Sequence, residues 1–126
     1  MELIFYCADP DDCSAKLLQR VSALVPTGKL IECRNLKGLR RSLLKRGRDP
    51  FVAILLVSNR GDLLDLLAIT ELLRSIRIIL VLRDGEREFI SKAHELKPRF
   101  LTTEGRSEEV IAVLAKMLRN VKRYHE

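Results

Sequence analysis

Four residues with reactive or charged side chains lie close together near the start of the chain. Cys7 is followed by the carboxylates Asp9, Asp11 and Asp12. A cysteine can act as a nucleophile when its thiolate is stabilised. Carboxylate oxygens are the ligands that hard cations such as Mg²⁺ prefer. Two kinds of chemistry are therefore candidates for this segment: covalent catalysis by a thiol, and binding of a cation.

The residues around Cys7 do not favour a reactive thiolate. Enzymes that transfer phosphate through a thiol hold the phosphate with backbone N–H groups at a helix N-terminus or with an arginine. The segment from Cys7 to Ser14 contains no arginine, Pro10 removes one N–H group, and the three carboxylates repel phosphate. We therefore predict a structural thiol at Cys7. A phosphate-binding or thiol enzyme that uses Cys7 is the alternative function.

The carboxylates also have a structural role, because acidic side chains stabilise the positive end of a helix dipole. Asp12 or Ser14 is expected to cap the helix that follows. Capping is the favoured role of Asp9, Asp11 and Asp12, with cation binding as the alternative. The chain has no C-x-x-C pair, no G-x-G-x-x-G segment and no phosphate-binding P-loop. We predict no metal ion and no cofactor.

Short apolar runs alternate along the chain with segments in which leucine and valine recur every three or four residues. The runs predict strands over residues 3–8, 29–34, 51–57, 77–82 and 99–103. The periodic segments predict helices over residues 17–25, 36–44, 63–73 and 88–96 and from residue 107 onward. Gly47 is expected to end the second helix, and Pro98 to stop the fourth.

Strands that alternate with helices predict a parallel sheet covered by helices on both faces. The first, third and fourth strands are apolar throughout, which is typical of central strands, and the other two are mixed, which is typical of edges. The predicted fold is therefore α/β, a flavodoxin-like, doubly wound sheet of five parallel strands in the order 2-1-3-4-5. At 126 residues, the chain is expected to form a single domain, residues 1–126.

Ligands of such sheets bind where the strand order reverses, outside the carboxyl ends of the strands. Here that point lies between the first and third strands. The residues that we predict to line this crevice are Cys7, Ala8, Asp9, Val57, Ser58, Arg83 and Thr103.

In length, element order and edge pattern, the chain resembles the receiver domain of bacterial response regulators. Local similarities are Asp9-Pro10 after the first strand, Pro50 before the third, and the sequence LDLL at residues 64–67. The resemblance implies a cytoplasmic protein of two-component signal transduction. It also implies a site in which two acidic residues hold Mg²⁺, an aspartate accepts the phosphoryl group, and a Thr or Ser and a Lys engage it.

The positions that match this site carry other residues. The acidic pair falls on Cys7 and Ala8, and residues 55–59, at the end of the third strand, include no carboxylate. The hydroxyl position falls near Arg83 and the lysine position near Thr103. We therefore predict a pseudo-receiver, a non-catalytic and phosphorylation-independent signalling or interaction module that is not an enzyme.

The net charge of +6 is unevenly distributed, since seven basic residues and no acidic one lie between Arg34 and Arg48. The predicted basic patch is Lys37, Arg40, Arg41, Lys45, Arg46 and Arg48. Such a surface suits phosphate backbone or an acidic protein. With no interleaved aromatic residue, an ordinary charged helix face is the favoured interpretation. Binding of nucleic acid or an acidic partner through the second helix is a further alternative function.

The receiver resemblance also implies that the face made by the fourth helix, the fifth strand and the fifth helix mediates pairing or output. In this chain the face would include Phe89, Lys92, Arg99, Lys116, Arg119 and Tyr124. We expect a protein partner or an output domain, with a homodimer through this face as one form. We expect no membrane contact, because no apolar run is long enough to span a bilayer. An odd number of cysteines and an N-terminus without a signal peptide favour the cytoplasm.

Overall fold

A computed structural model describes residues 2–26, 28–45, 51–83 and 85–125. The described strands are β1 (Glu2–Cys7), β2 (Leu30–Cys33), β3 (Phe51–Val57), β4 (Arg77–Leu82) and β5 (Phe100–Thr103). The described helices are α1 (Asp12–Ser22), α2 (Leu36–Lys45), α3 (Arg60–Ala68), α4 (Thr70–Leu73), α5 (Arg87–Ala93) and α6 (Ser107–His125).

The strands form one parallel sheet in the order β2-β1-β3-β4-β5. This confirms the predicted α/β fold, its flavodoxin-like strand order and the placement of the edge strands. The register pairs Cys7 with Leu56, Val57 with Leu82, and Leu82 with Thr103. The carboxyl ends of four neighbouring strands therefore lie along one edge of the sheet.

Helices cover both faces of the sheet, as the apolar character of the central strands predicts. Alternate residues of β1 point to opposite faces, so that Phe5 belongs to one core cluster and Ile4 to the other. The first cluster, on the Phe5 side, receives Leu17 of α1 and Leu114 of α6. The second receives Leu39 of α2 together with residues of α3, α4 and α5.

Of the residues predicted to cap α1, Asp11 is confirmed and the others are not the N-cap, and the helix ends earlier than predicted. The capping residue is Asp11, not Asp12 or Ser14, because its Oδ1 accepts from the Ser14 backbone N–H (2.8 Å) while its own N–H donates to Ser14 Oγ (2.8 Å). This is a capping box, with Ser14 as its second member. The helix ends at Ser22 and not at residue 25, since Pro26 has no N–H to continue it.

The segment predicted as one helix over residues 63–73 forms two. α3 begins earlier, after Asn59, whose side chain accepts from the Asp62 N–H. The helix is interrupted at Ile69, and the Thr70 hydroxyl donates to the Leu67 carbonyl instead of leaving it to the helical ladder. A threonine that bonds the preceding turn in this way competes with the regular helical pattern.

The fourth predicted helix, residues 88–96, is α5 followed by a 3₁₀ turn at His94–Leu96. It stops at Lys97, which has a left-handed backbone (φ 54°) directly before Pro98. The proposed ending of the second helix at Gly47, and Pro50 before β3, lie outside the described residues.

Candidate functional site

The crevice at the carboxyl edge of the sheet is assembled by backbone hydrogen bonds that continue the parallel ladder beyond the strands. The Arg83 N–H donates to the Val57 carbonyl (2.9 Å), and the Glu104 N–H donates to the Leu82 carbonyl (2.7 Å). The first residue after β4 and the first after β5 are therefore held side by side. Both face the loop that joins β1 to α1.

The Arg83 side chain bridges three carboxylates across this crevice. Its Nη1 donates to Asp9 Oδ2 (3.1 Å), its Nη2 to Asp11 Oδ2 (2.8 Å), and its Nε to Glu104 Oε2 (3.1 Å). Nη2 also donates to the Asp9 carbonyl (3.1 Å). We call these four residues the Arg83 cluster. All three guanidinium nitrogens are engaged, which the planar fork of arginine permits and a lysine ammonium does not.

The electrostatics of the cluster favour the charged forms of Arg83 and Asp11. Burial acts to lower the pKa of Arg83, but hydrogen bonds to Asp9 and Glu104 outweigh it and raise the pKa above its usual value. The hydrogen bond from the Ser14 backbone, and in smaller part the Arg83 charge, lower the pKa of Asp11. A side chain that is 36% exposed still reaches solvent, so these attractions are screened and individually modest.

The predicted crevice residues do meet at this edge, but their chemistry differs from that of a receiver site. Cys7, at the acidic-pair position, is buried in the core, and Ala8 is exposed. At the end of β3, Val57 is buried, and the Ser58 N–H donates to Asp62 Oδ2 (3.1 Å) at the start of α3. Thr103 is half-buried at the end of β5.

The thiols lie in surroundings that oppose their ionisation. Burial raises the pKa of Cys7, although hydrogen bonds with Ser14 and the Asp9 backbone act in the opposite direction. Burial likewise raises the pKa of Cys33. Cys13 is exposed, and a contact with Glu104 raises its pKa. A raised thiol pKa means little thiolate at neutral pH, which is the reverse of what a nucleophilic cysteine needs.

The three carboxylates after β1 have separate roles. Asp9 and Asp11 bind Arg83, whereas Asp12 is exposed in the first turn of α1. No group of three or more His, Cys, Asp or Glu side chains among the residues of known placement is arranged to hold a metal ion.

The predicted basic patch is only partly covered by the structure. Lys37, Arg40, Arg41 and Lys45 are exposed on α2, in agreement with the prediction that they face solvent. Arg46 and Arg48 lie outside the described residues.

The predicted pairing face contains an error. Phe89 is 7% exposed and packs in the core beneath α5, because it lies on the apolar side of that helix, and it is not available at a surface. Lys92, Arg99, Lys116 and Arg119 are exposed. The Tyr124 side chain lies outside the part that the structure describes.

Two members of the Arg83 cluster were absent from the predicted crevice. The sequence predicts only capping or cation binding for Asp11, and it yields no prediction for Glu104. The sequence does contain a signal for Glu104. This residue directly follows β5, and the residue that directly follows the neighbouring strand β4 is Arg83, which has the opposite charge.

Over the described residues, each helix is either too short or too polar to cross a membrane. Comparisons with protein-family models, with curated proteins and with solved structures find no match to this chain.

Proposed function

We propose that this chain is a non-catalytic signalling module of receiver-like architecture, in which an arginine occupies the place of the metal ion and the phosphoryl group. The observation that carries the proposal is the Arg83 cluster. Its guanidinium spans the carboxyl edge of the sheet and engages one oxygen of each of Asp9, Asp11 and Glu104.

Phosphoryl transfer to a receiver needs a carboxylate nucleophile and a cation that offsets charge at the phosphoryl oxygens. The end of β3 offers the buried Val57 and the hydroxyl of Ser58, neither of which is a carboxylate. The positive charge in the crevice belongs to the protein itself and is already shared among three acids. Both properties support a module that does not take a phosphoryl group from a donor.

The consequence for regulation is direct. With Asp9, Asp11 and Glu104 each bound to Arg83, we expect the crevice not to respond to the supply of Mg²⁺ or of a phosphoryl donor. Control of this module then comes from its abundance or from binding to a protein partner, and a partner shifts its conformation only by binding one state more tightly than another. We place this activity in the cytoplasm, as a signalling or interaction domain, with the face of α5, β5 and α6 as one site of pairing.

An amide NMR titration tests the proposal. Mg²⁺ is added first, and then Mg²⁺ with beryllofluoride, a mimic of the phosphoryl group, at constant ionic strength. We expect the amides of Asp9, Val57, Arg83 and Thr103 to move no more than amides of α1 that lie away from the crevice. Saturable shifts shared by these four amides would contradict the proposal, because they would mean that an acid site forms in spite of Arg83.

A further inference from the structure

Helix α2 presents two different faces. Leu39 and Leu43 are buried against the sheet and hold the helix in place. The opposite side carries Lys37, Arg40, Arg41, Leu44 and Lys45, all exposed, and we call this set the α2 basic face. Because its anchoring residues are separate from its surface residues, substitutions on the α2 basic face do not disturb the core.

The four cations of the α2 basic face have no hydrogen bond or ion pair with any other described residue. α2 itself contains no acidic residue. Elsewhere arginines commonly lie against carboxylates, and the paired ones are Arg20, Arg34, Arg74, Arg83 and Arg106. A row of charges on one helix that no other described residue pairs with produces a local positive potential that attracts an anionic partner.

Leu44 makes this face more than a charged surface. It is 66% exposed, the highest value among the large hydrophobic residues in the described part of the chain. Helical spacing places it one turn after Arg40, beside the row of Lys37, Arg41 and Lys45. An apolar side chain thus lies between Arg40 and the row of cations, on a shallow surface that these residues form together with Leu36.

We propose that the α2 basic face docks an acidic, amphipathic helix of a partner protein. A helix that carries carboxylates three or four residues apart, with a leucine between them, matches both the charges and the exposed Leu44. Duplex nucleic acid matches only the charges, because phosphates gain nothing from covering an apolar side chain and the face offers no aromatic ring for stacking bases. The inference rests on the proposed function, since it names the partner that an interaction module needs.

The test measures fluorescence anisotropy with a labelled synthetic peptide that forms an acidic amphipathic helix, and with a scrambled peptide of the same composition. We expect saturable binding of the amphipathic peptide, about ten-fold tighter than the scrambled one. Arg40→Glu with Arg41→Glu is expected to weaken binding by about ten-fold or more, and Leu44→Ser by about three-fold or more. The charge-matched control, Lys16→Glu on α1 with Arg87→Glu on α5, is expected to change affinity less than about two-fold.

The inference would be overturned by equal affinity for the scrambled peptide, by an equal loss in the charge-matched control, or by a 20-base-pair DNA duplex that displaces the peptide from the same surface. Amide shifts of the unmodified protein on peptide addition give a second measurement that needs no variant. Those shifts are expected in α2 and would contradict the inference if they lay elsewhere. If the peptide does not bind and beryllofluoride does not shift the crevice amides, only this inference is removed. If beryllofluoride does shift those amides, the proposed function is removed.

Discussion

Replacing Arg83 with glutamine removes the positive charge that Asp9, Asp11 and Glu104 share and keeps a polar side chain in the crevice. The variant loses three ion pairs of 2.8–3.1 Å and one hydrogen bond to the Asp9 carbonyl. It also leaves three carboxylates facing one another without a counter-charge. We expect a lower free energy of unfolding at neutral pH for both reasons.

The size of the loss follows from the exposure of the groups. A solvent-exposed ion pair contributes about 0.2–1 kcal/mol, and Arg83 is 36% exposed, so each of its pairs belongs near the middle of that range. Three pairs that share one cation are not independent. We therefore expect Arg83→Gln to lower the free energy of unfolding by about 1–2 kcal/mol.

Urea denaturation followed by far-ultraviolet circular dichroism measures this change, since the chain has no tryptophan to report by fluorescence. The matched control is Arg74→Gln, which breaks a single pair with Glu71 in which both side chains are more than 70% exposed. The control is expected to cost less than about 0.5 kcal/mol. Arg83→Lys keeps the charge but not the fork, and is expected to recover no more than half of the loss.

Salt separates electrostatic stabilisation from packing. In 1 M NaCl the screening length falls to about 3 Å, so the difference between Arg83→Gln and the unmodified protein is expected to shrink by about half. Two results would refute the reasoning: a loss no larger than that of Arg74→Gln, or a loss that salt does not change. The first would mean that the cluster does not contribute to stability, and the second that its contribution comes from packing and not from charge.

Two further changes test the local structure near the crevice. Asp11→Ala removes the N-cap of α1 and is expected to cost about 1–2 kcal/mol in urea denaturation, against less than about 0.5 kcal/mol for Asp12→Ala, which caps nothing. Because its pKa is lowered in the folded protein, the Asp11 contribution is present above the unfolded pKa near 3.8 and disappears as the pH falls through the folded value. Burial, and in smaller part the charge of Asp62, raise the pKa of Tyr6 from 10.0 to about 12, so the unfolded chain ionises first and stability falls as the pH rises between these values. Across that pH range, the melting temperature is expected to fall less steeply for Tyr6→Phe than for the unmodified protein. An identical slope would contradict the raised pKa of Tyr6.

The sequence predicted the sheet well because its central strands carry a strong signal. β3 and β4 have the predicted bounds, since each is an unbroken apolar run that can only be buried on both faces. The interruption at Ile69 was missed because leucine spacing continues across it, while the cause is one hydroxyl at Thr70 that bonds back to the preceding turn. Phe89 was misplaced because the face of α5 that points inward depends on packing against the sheet.

The site was harder to predict than the fold. Capping at Asp11 rather than Asp12 is a difference of one position among acidic neighbours, which composition does not resolve. The Arg83 cluster joins residues separated by more than 70 positions in the sequence, and the registers of β1 beside β3, of β3 beside β4 and of β4 beside β5 bring them together. The departures from the receiver pattern indicated that the crevice lacks the acidic pair and the phosphoryl-accepting aspartate. They did not indicate that Arg83 forms ion pairs with the carboxylates that are present.

Because β1 lies between β2 and β3 in the sheet, its two edges become paired at different times during synthesis. β1 leaves the ribosome before β3, and its pairing with β3 joins Cys7 to Leu56, so one of its edges stays open until the residues between these two strands have been made. An open apolar edge is a template for pairing with other chains. The nascent protein therefore keeps an open apolar edge on β1 even after β2 is complete, and a pause in translation before β3 extends the time for which this edge is open.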